Sequence, residues 1–460
     1  MKTVWETYDE TQLEEAKAFG KQYRSFLDRT KTEREFVREA AALAEAEGFT
    51  NIHDSVGELN PGDRLYAVNR GKNICLFVIG EQPLTKGMNV LGAHIDSPRL
   101  DLKQKPIYEK DGFVLFDTHY YGGIKKYQWT ARPMALHGVV IKKDGTAVSI
   151  CIGEDPEEPV VGVSEILIHL AAKQMEKKAS EAVEGEALDL IVGSIPRRSE
   201  DGSECKDPVK AYLLDLLKEQ YDIEEDDFLS AEIEVVPAEH ARLFGLDCSM
   251  IMAYGHDDRI CAYTSLQAIL DMKTPKRTSC CILVDKEEVG SIGATGMSSR
   301  WFENVIVNLL DRSNAATLPG LNRTLTASRM LSSDVSAGFD PIYDSVFERK
   351  NAAFLGCGIT FNKYTGARGK SGSNDANPEY IAEIRRIMDD ESIVFQTAEL
   401  GKVDAGGGGT IAYILAGLNM EVIDAGIPVL NMHSPSEIAS VADIYEAYRA
   451  YKAFLRHAGS

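Results

Sequence analysis

The sequence lacks any run of about 18 apolar residues, the length that a membrane-spanning helix needs, so we expect no membrane span. Its first residues, MKTVWETYDETQLEEAKAF, are polar and acidic and have no apolar core of the kind found in secretory signals. No internal repeat and no low-complexity tract is visible. These absences, with an ordinary hydrophobic content of 44%, predict a globular protein of the cytoplasm.

Positive charge and paired cysteines are also scarce. The chain has 50 Lys and Arg residues against 71 Asp and Glu residues, a formal net charge of -21. This excess of acid argues against nucleic acids and anionic membrane surfaces as partners. The eight cysteines form no CxxC pair, and several lie in apolar runs such as SCCILV (279–284). We therefore expect reduced, buried thiols.

The length of 460 residues exceeds what one simple core accommodates and predicts more than one domain. Residues 1–50 have helical spacing, with a capping box at Thr32 that opens a second helix. Strand patterns follow over 63–103, and residues 247–460 alternate strands and helices. That alternation predicts an α/β fold with a mostly parallel, doubly wound sheet. Within the last stretch we predict strands at 279–284 and 304–309 and a closing helix at 443–455.

The middle of the chain has a different pattern. Short strands broken by Gly and Pro are followed by a predicted helix at 164–177, a polar loop at 196–206 and a helix at 209–220. The first candidate ligand precedes this stretch and the others follow it. The simplest interpretation is a catalytic domain in two halves, 1–103 and 247–460, interrupted by an inserted β-rich domain at 104–246.

Acidic and imidazole side chains follow several apolar, strand-like runs, which is where an open α/β sheet places its active site. Two His, an Asp able to bridge, one more carboxylate per metal and a spare Glu suit two adjacent divalent ions with an open position for water. The residues that form this pattern are His94, Asp257, Glu287, Glu288, Asp334 and His433.

Each of these residues also has an ordinary structural explanation. His94 and Asp96 could be a hydrogen-bonded pair, Asp334 a helix cap, and His433 a core histidine. Adjacent acids such as Glu287 and Glu288 usually form a solvated turn. After a buried strand, however, two like charges repel unless a cation lies between them or one is protonated. This favours one Glu as a ligand and the other as a general base, and the collinear set favours a metal site.

Seven segments carry a family resemblance that spans nearly the whole chain. They are GAHIDSPRLDLK (92–103), YGGI (121–124), VSEILIHL (163–170), DD (257–258), DKEEVGSIGATG (285–296), SSDVS (332–336) and GIPVLNMHSPSEIAS (426–440). In this order they resemble the M18 family of metalloaminopeptidases, the aspartyl aminopeptidase group within the clan of co-catalytic zinc exopeptidases. The resemblance implies the fold of that clan, with an inserted dimerisation domain.

The resemblance also implies a role for each motif residue. Five ligands would hold two ions, most commonly zinc with Mn or Co as alternatives: His94 and Asp334 on one, Glu288 and His433 on the other, and Asp257 bridging. Glu287 would be the general base that takes the proton of the bridging water, and Asp96 would orient His94. The peptide bond between Asp257 and Asp258 would be cis.

The inserted region matches the dimerisation domain of the family. Its His169 matches a histidine that reaches the active site of a neighbouring subunit and helps to stabilise the oxyanion. A third His ligand is the alternative role, and we favour the substrate role because five ligands already complete the metal set. The family assembles as hollow tetrahedral dodecamers built from dimers, which the resemblance implies here.

Two departures concern the substrate. Eukaryotic members have Leu-Asp-Asn at the bridging motif, whereas this chain has HDDR (256–259). Their Gly-Pro-Val-Ile-Lys run, whose Lys receives an acidic side chain, corresponds to GCGITFNKYTGARGK (356–370). Alignment without gaps puts Thr360 at that Lys, and Lys363 or Lys370 could substitute. The glycine run around Gly408 either lets the backbone approach the substrate or forms a flexible turn.

We therefore predict a zinc-dependent aminopeptidase that removes N-terminal residues from peptides, with the preference for acidic residues left open. A related binuclear deacylase or carboxypeptidase is one alternative, and it would need a cationic group for the carboxylate of its substrate. A non-catalytic oligomeric scaffold is another, and the presence of Glu287 with all five ligands argues against it.

Overall fold

The computed structural model describes residues 3–55, 57–198 and 205–459, so the predicted polar loop at 196–206 lies partly outside the described residues. The chain forms two compact units. The first consists of residues 1–97, 241–432 and 436–460, and the second of residues 98–240 and 433–435.

The α-helices of the described residues are α1 (Glu10–Leu27), α2 (Glu33–Ala46), α3 (Ala172–Met175), α4 (Ala179–Ala182), α5 (Pro208–Tyr221), α6 (His256–Leu270), α7 (Trp301–Asp311), α8 (Leu318–Ala327), α9 (Pro378–Asp390), α10 (Ala412–Ala416) and α11 (Val441–His457). The strands are β1 (Thr50–Asn51), β2 (Arg64–Asn69), β3 (Asn73–Val78), β4 (Met88–His94), β5 (Arg99–Lys110), β6 (Phe113–Tyr121), β7 (Met134–Ile141), β8 (Ala147–Ile152), β9 (Gly162–Val163), β10 (Leu190–Gly193), β11 (Ala231–Pro237), β12 (Arg242–Phe244), β13 (Met250–Ala253), β14 (Thr278–Val284), β15 (Arg329–Ser332), β16 (Ser336–Ala337), β17 (Ile359–Asn362), β18 (Phe395–Thr397), β19 (Glu421–Gly426), β20 (Pro428–Leu430) and β21 (Glu437–Ser440).

The first unit contains a nine-stranded mixed sheet in the order β1-β2-β3-β14-β4-β15-β19-β17-β18. Its four central strands, β14, β4, β15 and β19, are parallel to one another. Val284 pairs with His94, and Ser332 pairs with Gly92. The carboxyl ends of β14, β4 and β15 therefore lie side by side, and the residues that follow them are brought together.

Apolar side chains cover both faces of this sheet. Along β14, Cys281 and Leu283 belong to one core cluster, whereas Cys280 and Ile282 belong to another. Helices α1, α2, α6, α9 and α11 contribute to the first cluster, and α7, α8 and α10 to the second. Strands buried on both faces have continuous apolar sequences, as β14 does, and each fully buried Leu or Ile contributes about 1.5–3 kcal/mol relative to exposure.

Sequence patterns predicted several of these elements correctly. The capping box at Thr32 opens α2, since the Thr32 side chain accepts the N–H of Glu35 at 3.3 Å. The predicted strand at 279–284 and the closing helix at 443–455 are confirmed as β14 and α11. A smaller sheet in the same unit has the order β12-β13-β21-β20-β16.

Two predicted elements are wrong. The strand predicted at 304–309 lies inside α7, whose buried residues Phe302, Val305, Ile306 and Leu309 have helical rather than alternating spacing. The helix predicted at 164–177 is replaced by a 3₁₀ turn, Ile168–Leu170, and the four-residue α3. This segment leaves most of its apolar side chains exposed, so no buried face stabilises a long helix.

The second unit contains a seven-stranded antiparallel sheet in the order β8-β7-β11-β5-β6-β10-β9. Helix α5 packs against β5 and β6, and it confirms the helix predicted at 209–220. The whole chain is thus a mixed α/β protein with several sheets. None of the helices in the described ranges combines the length and apolar content needed to cross a membrane.

Candidate metal centre

His94 is the last residue of β4 and is buried at the carboxyl edge of the central strands. Its Nε2 atom lies 3.1 Å from Asp257 Oδ1, 3.9 Å from Asp334 Oδ1 and 4.0 Å from Glu287 Oε2. Its Nδ1 atom lies 3.0 Å from the main-chain oxygen of Asp96. The ring therefore faces backbone on one side and three carboxylates on the other.

The hydrogen bond at Nδ1 fixes the chemistry at Nε2. An imidazole that donates from Nδ1 to a carbonyl carries its lone pair on Nε2, here directed at an anionic oxygen 3.1 Å away. Two lone pairs at that distance repel unless a proton or a cation separates them. Burial alone would lower the pKa of His94, but Asp257, Asp96, Asp334 and Glu287 outweigh it and raise that pKa well above its ordinary value. His94 Nε2 and the carboxylate oxygens that face it are therefore suited to bind a metal ion.

Asp257 and Asp258 lie at the start of α6 and depart from helical backbone angles. The peptide bond between them is cis, as the resemblance implied. The Asp257 N–H donates to Glu437 Oε2 at 3.0 Å, and the Asp257 carbonyl accepts from Ser97 Oγ at 2.6 Å. Burial raises the pKa of Asp258 well above its usual value, with the Asp257 charge acting in the same direction.

The segment before Asp257 is held by buried polar contacts. His256 Nδ1 lies 2.8 Å from the Tyr23 hydroxyl, and His256 Nε2 lies 3.1 Å from the Ile251 carbonyl. Burial lowers the pKa of His256 to about 4, so the ring is neutral and bridges the two groups. Arg259 donates to the carbonyls of Gly255, Tyr254 and Thr30. This framework fixes the position from which Asp257 projects.

Glu287 and Glu288 occupy a 3₁₀ turn, Glu287–Val289, that follows β14. Lys286 precedes the turn at φ 70° and Gly290 ends it at φ 96°, so the chain reverses sharply. The Asp96 carboxylate accepts the N–H groups of Glu287 at 3.1 Å and Glu288 at 3.2 Å. It lies 3.4 Å from His94 Nδ1, so this carboxylate contacts the turn and the histidine together.

Buried charges lie beneath this turn. Lys72 Nζ is 2.7 Å from Glu33 Oε1 and 3.8 Å from Asp285 Oδ2, and all three side chains are nearly inaccessible. The Thr295 hydroxyl donates to Asp285 Oδ2 at 2.6 Å. Because Asp285 lies two residues before the turn, Lys72 and Thr295 anchor the segment that leads into it.

Asp334 follows β15, next to β4. The Ser333 N–H donates to the Gly92 carbonyl at 2.6 Å, which continues the pairing of these strands to the edge of the site. Burial raises the pKa of Asp334 well above its usual value, and the charges of Asp258, Glu287 and Asp257 add to this effect while His94 opposes it. A carboxyl in such surroundings ionises readily only beside a cation.

Within the first unit, these residues form two groups of possible ligand atoms. One consists of His94, Asp257 and Asp334, the other of His94, Glu287 and Glu288, and in each the atoms lie within 4.8 Å of one another. Imidazole and carboxylate donors at such spacing suit zinc, manganese or cobalt. These two groups contain five of the six residues of the predicted pattern, all of them in the first unit.

The two other histidines that the sequence analysis proposed for the site, His433 and His169, belong to the second unit. His433 has φ 64°, and its Nδ1 lies 2.8 Å from the Gly123 carbonyl, which leaves the lone pair on Nε2. His169 is exposed in the turn Ile168–Leu170. A cavity of about 490 Å³ in this unit is lined by residues of the same segment, including Ile166, Ile168 and Met175.

One candidate substrate residue, Lys370, lines another cavity of about 230 Å³, together with Gly406 of the glycine run. Lys363 Nζ contacts Asp375 Oδ1, and Lys370 Nζ is 2.9 Å from Asp375 Oδ2. These two cations lower the pKa of Asp375. The N–H of Gly408 donates to the Thr365 carbonyl at 3.1 Å. Thr360, the residue of the gap-free alignment, is buried inside β17 and presents no side chain to solvent.

Ser97, Glu437 and Lys72 support the site but were not predicted from the sequence. Each contacts a partner more than 150 residues away, except for the pair of Lys72 and Glu33. The sequence signal that could have indicated them is an ionisable residue beside apolar residues, as in SEIAS (436–440) and GKNICLF (71–77).

Comparisons with known proteins show the family. Residues 26–455 match the family model described as Aminopeptidase I zinc metalloprotease (M18). A probable M18 family aminopeptidase 1 of Clostridium acetobutylicum is 57% identical over 459 residues, which covers 99% of this chain and 98% of that protein. The structure of an M18 aminopeptidase from Thermotoga maritima has a TM-score of 0.94 at 44% identity and covers 99% of both chains. The structure of aminopeptidase I from C. acetobutylicum has a TM-score of 0.92 at 56% identity, with 99% of both chains covered.

Proposed function

The chain belongs to the M18 family of zinc metalloproteases, and from that premise we propose that it is an aminopeptidase that removes N-terminal residues from peptides. The observation that carries the proposal is the convergence of His94 with Asp257, Asp334 and Glu287 at the edge of three adjacent strands. The catalytic domain would correspond to the first unit and would be a doubly wound α/β domain formed by residues 1–103 and 247–460.

We assign the ligands of two divalent ions, most commonly zinc, by the family pattern. His94 and Asp334 would hold one ion, Glu288 and His433 the other, and Asp257 would bridge them. The orientation of His94, whose Nδ1 contacts a carbonyl and whose Nε2 faces Asp257, and the raised pKa of Asp334 support this assignment, because a cation among these groups would offset their mutual repulsion. When bound, the ions supply polarisation of the scissile carbonyl and a lower pKa for a water molecule.

Glu287 is the proposed general base. Its carboxylate accepts the proton of the attacking water and returns it to the leaving amine, so one group serves both halves of the reaction. The Asp96 carboxylate holds the N–H of Glu287, which limits the positions that the Glu287 side chain can sample. Asp96 also lies beside His94 Nδ1 and keeps the Nε2 lone pair directed at the site.

The second unit is the proposed dimerisation domain, corresponding to the predicted domain at 104–246. Leu167, Ile168, Leu170 and Met175 around His169 are more than half exposed, which is unusual for large apolar side chains and supports burial against another copy of this chain. His169 would then stabilise the oxyanion in the partner subunit, and the dimers would assemble into a tetrahedral dodecamer. A Leu170→Asp variant should lower the mass of the oligomer in solution. His169→Ala should lower kcat and leave the mass of the oligomer unchanged.

The preferred N-terminal residue depends on the cavity beside Lys363 and Lys370. Both ammonium groups contact Asp375, so an acidic substrate side chain would compete with an existing carboxylate. We therefore propose only a modest preference for Asp and Glu at the substrate N-terminus. Aminoacyl-arylamides of acidic, neutral and basic residues, assayed with Zn, Mn and Co, rank these preferences.

The function is tested by Glu287→Gln beside His94→Ala. Gln keeps the size of Glu287 but accepts no proton, so turnover should fall by about 10²–10⁴-fold or more while the bound metal is retained. Ala at position 94 removes a ligand, so metal and activity should be lost together. His457→Ala, an exposed histidine paired with Glu391, is the control and should change neither.

Near-normal peptidase activity of Glu287→Gln would contradict the assignment of the base. Wild-type protein that hydrolyses N-acyl or C-terminal substrates but no aminoacyl-arylamide would identify the deacylase or carboxypeptidase alternative. Metal binding with no hydrolysis of any of these substrates would identify the scaffold.

A further inference from the structure

The main chain of Asp257 is held on both sides by buried side chains that the proposed mechanism does not use. Its N–H donates to Glu437 Oε2 at 3.0 Å, and its carbonyl accepts from Ser97 Oγ at 2.6 Å. Glu437 and Ser97 are each at most 2% exposed. The carboxylate proposed to bridge two ions therefore projects from a backbone segment fixed from two directions.

These two supports come from distant parts of the chain. Ser97 follows His94 by three residues, and Glu437 begins β21, where it pairs with Ala253 at the end of β13. Strand β13 leads directly into the Asp257 segment. The two contacts thus tie Asp257 to the end of β4 on one side and to β21 on the other.

A buried carboxylate is costly unless its oxygens are engaged, and a hydrogen bond from an N–H to an ionised acceptor is about twice as strong as a neutral one. A neutral acceptor could satisfy one N–H group at lower cost. The use of a glutamate at this buried position indicates that the strength and direction of this hydrogen bond matter.

We propose that Glu437, together with Ser97, is a positioning residue that orients the Asp257 carboxylate for metal binding, an inference that rests on the proposed function. Loss of the Glu437 acceptor lets the Asp257 main chain rotate and spreads its carboxylate over several orientations. The ions then lose a preorganised ligand, and zinc affinity falls. Partners that orient metal ligands in this way typically contribute roughly 10–100-fold to metal affinity.

The test measures zinc affinity by chelator competition on the metal-free full chain, with no substrate present. Glu437→Ala should bind zinc about 10–100-fold more weakly. Glu437→Gln keeps an acceptor oxygen for the Asp257 N–H and should recover most of that loss. Ser97→Ala removes the other support and should weaken zinc binding by a smaller factor. Thermal unfolding of each metal-free variant records any general loss of stability.

Glu446 provides a matched control in the same unit. It is also buried, and its Oε2 accepts the main-chain N–H of Val394 at 2.7 Å. Its Oε1 accepts hydrogen bonds from Tyr8 and Arg449, and neither of these is a proposed ligand. Glu446→Ala should lower the unfolding temperature and leave the zinc affinity of the folded protein unchanged.

Wild-type zinc affinity in Glu437→Ala would overturn the proposal, as would a Gln variant no better than the Ala variant. If Glu437→Ala does not fold, Glu437→Gln and Ser97→Ala decide the matter, because both alter the same backbone contacts more mildly, and wild-type affinity in both overturns it. A wild-type protein that binds zinc tightly but cleaves no peptide would remove the proposed activity and leave this role standing. A wild-type protein that binds no zinc would remove both.

Discussion

Asp96 Oδ1 accepts the main-chain N–H of Glu287 at 3.1 Å, and Oδ2 of the same carboxylate accepts that of Glu288 at 3.2 Å. The proposed base and a proposed ligand thus share one capping group, which lies two residues after His94. Movement of Asp96 would therefore displace the two glutamates in the turn after β14 and the imidazole at the end of β4.

Asp96→Asn should lower kcat by about 10–100-fold, with a smaller effect on zinc content. The Asn amide keeps one acceptor oxygen, but its NH₂ group faces the second N–H, so one of the two hydrogen bonds is replaced by a repulsive contact. Steady-state kinetics with metal analysis measure both effects. Asp28→Asn is the control, since Asp28 caps the N–H of Ala241 away from the site, and it should leave kcat unchanged. An unchanged kcat in Asp96→Asn would mean that the turn is held by other contacts.

Lys72→Met should destabilise the protein by about 3–5 kcal/mol, because it removes the cation from between two buried carboxylates, those of Glu33 and Asp285. Urea unfolding of both proteins with equal metal content measures the difference. Lys17→Met, which breaks an exposed pair with Glu14, is the control and should cost less than about 1 kcal/mol. A cost for Lys72→Met as small as that of the control would show that water reaches this cluster.

Asp424→Asn should alter the pH dependence of stability. Burial raises the pKa of Asp424 to about 6, against the opposing hydroxyls of Thr410 and Ser332, whereas an unfolded Asp has a pKa of about 3.9. Between these values the native state keeps a proton that the unfolded state has lost, so this group makes stability fall as pH rises from about 4 to 6. Above pH 6 the contribution is constant.

The variant lacks this titration and keeps an acceptor for the Thr410 hydroxyl, which lies 2.7 Å from Asp424 Oδ1. Its free energy of unfolding relative to wild type should therefore increase by at most about 3 kcal/mol from pH 4 to 6 and stay level to pH 8. The difference between the two unfolding temperatures should follow the same course. Thermal unfolding across this range provides the measurement, with pH 4 as the internal reference. A difference independent of pH would mean that Asp424 has an ordinary pKa in the native protein.

Asp375→Asn should increase kcat/KM for acidic arylamides over leucine arylamide by about fivefold. The change releases Lys363 and Lys370 from an exposed ion pair, a type of contact worth up to about 1 kcal/mol. Asp404→Asn, in the lining of the same cavity, changes the net charge equally and is the control. Equal selectivity in both variants would place the two lysines outside the substrate subsite.

The sequence predicted the parts of the site that depend on local pattern. His94 ends one apolar, strand-like run and Glu287 follows another, and the parallel pairing of β4 and β14 brings the ends of these strands together. The predicted element type was wrong at α7, because the six residues at 304–309 are too few to distinguish a buried strand from a helix, whereas the buried positions of the whole element have helical spacing.

The supporting contacts could not be predicted. Ser97 and Asp257 are 160 residues apart, and Glu437 and Asp257 are 180 apart, so no periodicity links them. A serine in IDSPR or a glutamate in SPSEIAS has many possible partners, and only the packed fold selects one. The second role of Asp96 was missed for the same reason, because the N–H groups that donate to its carboxylate, those of Glu287 and Glu288, lie 191 and 192 residues away.

The position of β4 between β14 and β15 has a consequence for synthesis of the protein. His94 leaves the ribosome early, yet its neighbours in the sheet, Thr278–Val284 and Arg329–Ser332, are translated much later. A nascent chain therefore carries β4 without either flanking strand while residues 98–240 emerge as their own unit. The group formed by His94, Asp257 and Asp334 is therefore complete only after about three quarters of the chain has been synthesised, long after its first member.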